Sequence, residues 1–379
     1  MLAPYSAHHW PLCTSPLPSP LAMDSEPGAP LANTPISASG KQNTHDSWNN
    51  AAAARSTSRA FSVEGGRHFT NGVSGLPDDE DRSASDTAGS AIGAGNVAEQ
   101  RSIAALLQHA AECGLQRLDA ELLLARATGL SRATLRAHDE LPVAASAHAQ
   151  FAAECSRRLS GEPLAYIEGS KEFWSLPLQV SSAVLVPRPE TELLVERCLA
   201  LLPTGPQHIA DLGTGSGAIA LALAHERPQW SITAVDASAA ALSVAKANAV
   251  QLKLHQVVFR LGSWCEPLGD RLMDAIVSNP PYVAPDDPAL ALLAHEPLAA
   301  LAAAEDGYAD LLTIASQARD HLRPGGWLLL EHGSTQALRL ATELSVLGYA
   351  EIVCHADLAG LPRVTQACWP ACTLNVGDS

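Results

Sequence analysis

The chain has 379 residues, 47% of them hydrophobic and 4% aromatic, and its 24 Lys and Arg against 40 Asp and Glu leave a formal charge of −16. That length has room for two or three domains with a sizeable core. Such acidity argues against a general binder of phosphate backbones, so no direct nucleic-acid binding is expected. It leaves open docking of a basic protein partner. Every long apolar run is cut by charge, Gly or Pro, so no membrane segment is expected either. Of the eight cysteines, only Cys368 and Cys372 lie close together. No second pair or His cluster accompanies them, so the expectation is no metal and free thiols in a reducing cytoplasm.

Residues 1–98 are rich in Ser, Ala, Gly, Pro and Asn, with neither helical nor strand period. They carry too little apolar surface to offset chain entropy and read as a disordered N-terminal extension. The opening lacks the basic flank and continuous apolar core of a secretory signal, and Met23 offers an alternative start. Residues 99–160 read as a small helical bundle, with apolar residues recurring at helical spacing in Ile103–Leu107, Ala120–Ala125 and an Ala-rich stretch ending at Leu159. Residues 161–190, framed by Gly161-Glu162-Pro163 and Pro187-Arg188-Pro189, carry strand-like patterns and read as a β-hairpin linker. From 191 to 379, strands predicted at 208–211, 232–236, 257–262, 274–278, 326–331, 350–354 and 364–368 alternate with helices. That alternation makes an α/β fold, a Rossmann-like, mostly parallel seven-stranded sheet covered on both faces.

Two motifs carry the chemistry. The strand Ile209–Leu212 runs into Gly213-Thr214-Gly215-Ser216-Gly217 and then an apolar helix from Ala218. Glycines permit the tight turn and let a ligand approach the main chain without Cβ interference. The next strand ends at Asp236, a carboxylate suited to ribose hydroxyls. Gly213, Gly215 and Ala218, with an acid about 20 residues further on, also satisfy a loose dinucleotide fingerprint. Two features favour S-adenosylmethionine over a dinucleotide. The loop opens with an acid, Asp211, which suits a ligand ammonium better than a pyrophosphate. The second motif, Asn279-Pro280-Pro281-Tyr282 at the end of the fourth strand, has no role in hydride transfer.

Two consecutive prolines cannot extend a sheet, since neither has an N–H and each restricts the residue before it. The chain must therefore leave the sheet at its carboxyl edge, where ligands bind in open α/β folds. A planar NH2 group suits this lip. The Asn279 oxygen and a proline carbonyl accept its two N–H bonds, and Tyr282 stacks on its face.

Together these motifs resemble class I S-adenosylmethionine-dependent methyltransferases that modify a planar nitrogen. Further stretches narrow the resemblance: Gly161–Ile167, Glu172–Leu178, Val186-Pro187-Arg188-Pro189-Glu190-Thr191-Glu192-Leu193, Leu329–Gly333 and Asp357–Val364. In unbroken order from about 100 to 370, they look like the release factor glutamine methyltransferase family (PrmC, formerly called HemK). The resemblance implies a substrate-docking role for residues 99–160, a methyltransferase domain at 191–379, and a sheet of order 3-2-1-4-5-7-6 ending in an antiparallel hairpin. It also implies a cytoplasmic enzyme that methylates N5 of the glutamine in the Gly-Gly-Gln loop of class I peptide chain release factors. Asn279, Pro280, Pro281 and Tyr282 would form the catalytic lip. Gly213, Thr214, Gly215, Ser216, Gly217, Asp236, Trp264 and Asn279 would contact S-adenosylmethionine, with Trp264 on the adenine side. Ser263 departs from the family's usual acid before that aromatic and removes a carboxylate from the adenine amino group. Arg188 and Glu190 are left between a hinge ion pair, a substrate contact and a solvated cluster, and His332 reads as structural.

Three other readings compete. Methyltransferases of exocyclic adenine amines share the lip but need a basic surface. The sister family acting on a glutamine of a large-subunit ribosomal protein typically carries Pro-Arg-Ser-Pro where this chain has Pro187-Arg188-Pro189-Glu190. The domain as a non-catalytic module that merely binds nucleotide or dinucleotide is the third, which a thermal-shift comparison of S-adenosylmethionine with NAD separates.

Overall fold

A computed structural model describes residues 101–371; the extension read over 1–98 and Cys372 lie outside the described residues. The chain begins there with a helical bundle: α1 (Ile103–Glu112), α2 (Arg117–Thr128), α3 (Arg132–Ala137), α4 (Ala145–Leu159) and α5 (Leu164–Glu168). Ser102 and Ser131 cap α1 and α3 by accepting from Ala105 N and Thr134 N at 3.3 and 3.0 Å, and Gly129 ends α2 in the left-handed region. Ile103, Leu106, Leu123, Leu124, Leu135 and Phe151 interlock as the bundle core. The six-residue α3 escaped the sequence reading because it is too short to display a period. The linker expected over 161–190 begins with α5 rather than with a strand, and α5 contributes Ile167 to the bundle core. Glu121, fully buried in the bundle, is gripped by Arg117, Arg132 and Arg136 at 2.9, 3.0 and 2.7 Å. These arginines hold its carboxyl down to about 2.

Strands β1 (Ser170–Phe173) and β2 (Leu176–Gln179) pair as an antiparallel hairpin. Its turn residues Trp174 and Ser175 both have positive φ, 52° and 58°, without a glycine. Tertiary anchors hold this costly turn. Trp174 donates through its backbone N to Glu192 and through Nε1 to Glu226, both at 2.8 Å. Phe173, Leu176 and Leu178 are buried in the core of the next domain, so the hairpin is part of that core's wall.

The sheet comprises β3 (His208–Leu212), β4 (Ser231–Asp236), β5 (Val257–Leu261), β6 (Met273–Ser278), β7 (Leu322–Glu331), β8 (Ala350–Ala356) and β9 (Pro362–Cys368). Its order is β5-β4-β3-β6-β7-β9-β8, which is 3-2-1-4-5-7-6 among the seven, with β9 antiparallel to both β7 and β8. Helices α6 (Glu192–Leu201), α7 (Ala218–Glu226), α8 (Ala239–Leu252), α10 (Ala309–Ala318) and α11 (Ala337–Val346), with a single turn α9 (Ala304–Gly307), connect the strands. Residues 218–224 of α7 are all buried, which explains its lack of a polar face. Chain order reverses between β3 and β6, opening a crevice at their carboxyl ends. There Leu212 lies opposite Ser278, and the Ser278 hydroxyl donates to the Leu212 carbonyl at 2.7 Å. The glycine loop and the double-proline lip therefore leave adjacent strands side by side.

Candidate active site

The loop after β3 is held from below. Gly213 N and Thr214 N both donate to the Val235 carbonyl at 2.9 Å. The Thr214 hydroxyl and Ala220 N donate to Asp211 Oδ2 at 2.6 and 3.1 Å. Asp211 is fully buried, its Oδ1 has no protein partner, and burial pushes its carboxyl up to about 7. It lies beneath the loop, away from the cavity wall. Gly213, Gly215 and Gly217 have φ of 72°, 56° and 85°. Only at Gly215 do positive φ and open space on the wall coincide, since a Cβ there meets no protein atom within 4 Å. Gly217 serves helix packing instead: a Cβ on it would stand 3.0 Å from Leu221 Cδ1 and 3.2 Å from Ala245 Cβ.

The loop opens onto a cavity of about 440 Å³. Its wall includes Gly213, Thr214, Gly215, Ser216, Asp236, Trp264, Asn279 and Pro281, whereas Gly217, Pro280 and Tyr282 lie off it. Asp236, at the end of β4, accepts from Gly215 N through Oδ2 and from Ser238 N through Oδ1, each at 2.8 Å. It thus builds the loop as well as facing the cavity. Trp264 holds a left-handed backbone, φ 45°, and a Cβ on Gly213 would sit 3.4 Å from its ring. Strain in a bulky residue at a ligand cavity is the kind that surrounding structure must enforce.

At the lip, Asn279 Nδ2 donates to Thr191 Oγ1 at 3.1 Å, and Asn279 Oδ1 is buried without a protein partner. Pro280 is buried. Tyr282 turns its hydroxyl to Glu331 Oε1 at 3.2 Å, and its carbonyl accepts from Gln336 Nε2 at 3.1 Å. Glu331, at the end of β7, is 1% exposed. Burial pushes its carboxyl up to about 7 against the opposing Thr191 and Tyr282 hydroxyls and the Arg363 charge. Arg188 resolves into an ion pair: it reaches Glu296 at 2.5 Å, and the same buried carboxylate accepts from Val186 N at 3.0 Å. The pair clips the segment before α6 to the loop after the lip, and Arg188 still lines the cavity. Glu190 is exposed. His332 is buried, with Nδ1 on the Gly333 carbonyl and Nε2 on the Thr365 hydroxyl, and burial lowers its pKa. It is a structural histidine.

Residues 100–169 match the PrmC N-terminal domain and residues 189–354 the methyltransferase small domain. A release factor glutamine methyltransferase from Coxiella burnetii is 51% identical over 252 residues, covering 66% of this chain and 91% of the relative. Its counterpart from Xylella fastidiosa (strain Temecula1) is 48% identical over 264 residues, 69% of this chain and 96% of the relative. That from Yersinia pestis is 47% identical over 253 residues, 66% and 91%. The chain belongs to the release factor glutamine methyltransferase family.

As a member of that family it is an S-adenosylmethionine-dependent methyltransferase, and its cavity fits that cofactor. The volume suits a ligand of that size. Gly215 offers bare main chain, Asp236 retains lone pairs for hydroxyls, and Trp264 supplies an aromatic wall. Four residues important to the site were not singled out from sequence. Thr191 and Glu331 sat inside stretches read only as family matches. Glu296, 108 residues from Arg188, gave no local signal. Asp310, a wall residue whose carboxyl burial raises, sits in an ordinary amphipathic helix. Among the described residues no helix is long and apolar enough to cross a membrane, no cluster of His, Cys, Asp or Glu is arranged to hold a metal, and all six cysteines are free.

Proposed function

We propose that this enzyme methylates N5 of the glutamine side chain in the Gly-Gly-Gln loop of class I peptide chain release factors, in the cytoplasm, with Asn279-Pro280-Pro281-Tyr282 as the amide-binding lip. One observation carries the reading. Asn279 presents a buried oxygen with no protein partner beside the cavity, while its amino end is tied to Thr191. A buried unsatisfied acceptor costs roughly 1–3 kcal/mol and calls for an explanation. A substrate N–H supplies one.

A carboxamide nitrogen is a poor nucleophile because its lone pair is delocalised into the carbonyl. When bound, S-adenosylmethionine supplies a sulfonium methyl, an electrophile that needs no further activation. What the protein adds is alignment. The Asn279 oxygen and the Pro280 carbonyl accept the two amide hydrogens and turn the nitrogen's lone pair toward the methyl. As the new N–C bond forms and the S–C bond breaks, positive charge grows on nitrogen, and both acceptors favour it. The methylated amide nitrogen is then strongly acidic and loses its proton to these acceptors or to water, so no general base is required. The helical bundle supplies a docking surface for the release factor in this reading.

The test is mass spectrometry of a purified release factor after incubation with the enzyme and S-adenosylmethionine. The expected result is one methyl on the Gly-Gly-Gln glutamine and none after substitution of that glutamine by glutamate. Methyl incorporation elsewhere, or only on a ribosomal protein, overturns the assignment.

A further inference from the structure

We propose that the strap between Val283 and Ala302 is a docking surface for the release factor, on which Leu298 and Leu292 take apolar side chains of the segments flanking the substrate glutamine. The inference rests on that glutamine entering at the Asn279 lip.

The strap leaves the chain directly after Tyr282 and returns to the same place. Val283 and Ala302 form a parallel bridge, with Val283 N donating to the Leu301 carbonyl at 2.9 Å and Ala303 N to the Val283 carbonyl at 3.0 Å. A long excursion with its ends together is usually packed by its own side chains. This one is not. From Pro285 to Ala300 only Asp286, Asp287, His295 and Glu296 are polar, yet the two 3₁₀ turns there, Pro288–Leu293 and Leu298–Ala300, bury no residue. Leu292 is 74% exposed and Leu298 63%. The one buried residue of the stretch is Glu296.

Apolar surface outside and a charge inside reverse the usual arrangement, and each calls for a partner. The charge has its partners within the chain, since Glu296 accepts from Val186 N at 3.0 Å and pairs with Arg188. His295 adds a second tie, its Nε2 lying 2.9 Å from the Ser160 carbonyl at the end of α4. Polar anchors thus hold the strap in place without burying Leu292 or Leu298, and both leucines are left to cover something else.

Their position says what. Pro297, Ala299 and Ala300 belong to the cavity wall, so Leu298 between them stands at the cavity mouth, and His295 carries the strap across to the bundle. A glutamine side chain is short. For its amide to reach Asn279, the main chain of the release factor must lie against the rim of the cavity, and the strap is part of that rim. A second copy of this chain seated on Leu298 would instead cover the mouth through which the substrate enters.

Leu298→Ser and Leu292→Ser in the full chain should each raise KM for release factor, by about tenfold where the leucine becomes fully buried against the partner, and more in the double variant. Values of kcat at saturating release factor, S-adenosylmethionine affinity by calorimetry and melting temperature should stay at wild type, because both side chains are exposed in the free enzyme. Leu298→Met keeps the apolar volume and should restore KM. Wild-type KM in the double variant, with the release factor still methylated at its glutamine, overturns this inference alone. A loss of cofactor affinity in place of the KM effect also overturns it and makes the strap a wall of the cavity only. So does sedimentation of a wild-type dimer that the serine variants dissociate, since the leucines would then face a second copy. Failure of the wild-type enzyme to methylate the release factor glutamine would instead sink the reading on which the inference rests.

Discussion

A Cβ on Gly307 would stand 2.1 Å from the carbonyl oxygen of Tyr282. The glycine also has φ of 85°, and Gln336 Nε2 donates to the same carbonyl at 3.1 Å. The lip is thus braced from behind by main chain that tolerates no side chain. Gly307→Ala should push Tyr282 out of place and strain its own backbone, at a cost on the order of 1–3 kcal/mol from the strained φ alone. Thermal unfolding should shift down, and turnover should fall more than S-adenosylmethionine affinity. Wild-type turnover in a destabilised variant would show that the lip tolerates displacement.

Asn279→Ala should lower turnover by on the order of 10²-fold or more, because the missing acceptor acts most strongly once charge develops on the substrate nitrogen. Asn279→Asp keeps the size but loses the Nδ2 donation to Thr191. It should be impaired too. Release factor binding should change little in either variant, which single-turnover assays with a binding titration can separate. Full activity in Asn279→Ala would remove the central acceptor from the mechanism.

Asp236→Ala should weaken S-adenosylmethionine binding by about 1.5–3 kcal/mol, the range for hydrogen bonds to a charged group. The ties from Asp236 to Gly215 N and Ser238 N put the expectation at the upper end, because the loop loses an anchor along with the ligand contact. Calorimetric titration reads the change, and NAD should compete with neither protein. Unchanged affinity would place the ribose elsewhere.

The parts of this fold legible in sequence were those written in contiguous residues. Buried parallel strands such as Ile209–Leu212 and Ala275–Ser278 are apolar runs ended by glycine or proline, and both chemical motifs sit where those runs stop. Pairing across the chain was not legible. Thr191 meets Asn279 across 88 residues, and Arg188 meets Glu296 across 108. Only the crossover between β3 and β6 brings such partners together, and no local pattern encodes it. The order of β8 and β9 came from family likeness alone, since a swapped terminal hairpin leaves the alternation of strands unchanged. The loop glycines read alike in sequence, yet Gly215 faces the cavity while Gly217 faces Leu221 and Ala245. A glycine's purpose depends on what its missing Cβ would touch.

The two buried carboxyls at the site should leave a signature in the pH dependence of stability. Asp211 and Glu331 are both raised to about 7, from ordinary values of 3.8 and 4.5, chiefly by burial. The folded protein therefore holds protons that the unfolded chain has already released. Stability from these groups is full below their unfolded pKa and is lost as pH rises through the folded one. Glu121 works in a separate window. Its folded value of about 2 makes its contribution fail only in acid. Burial lowers the pKa of His148, His332 and His355, which opposes the carboxyl trend, but only where unfolded histidine is protonated, below about 6.5. The cofactor-free enzyme should accordingly lose thermal stability between about pH 6.5 and pH 8, by on the order of 1–2 kcal/mol. Glu331→Gln carries no titrating group at that position and should show a shallower slope. A Glu331→Gln slope equal to wild type in melts across that range would mean that Glu331 does not titrate there.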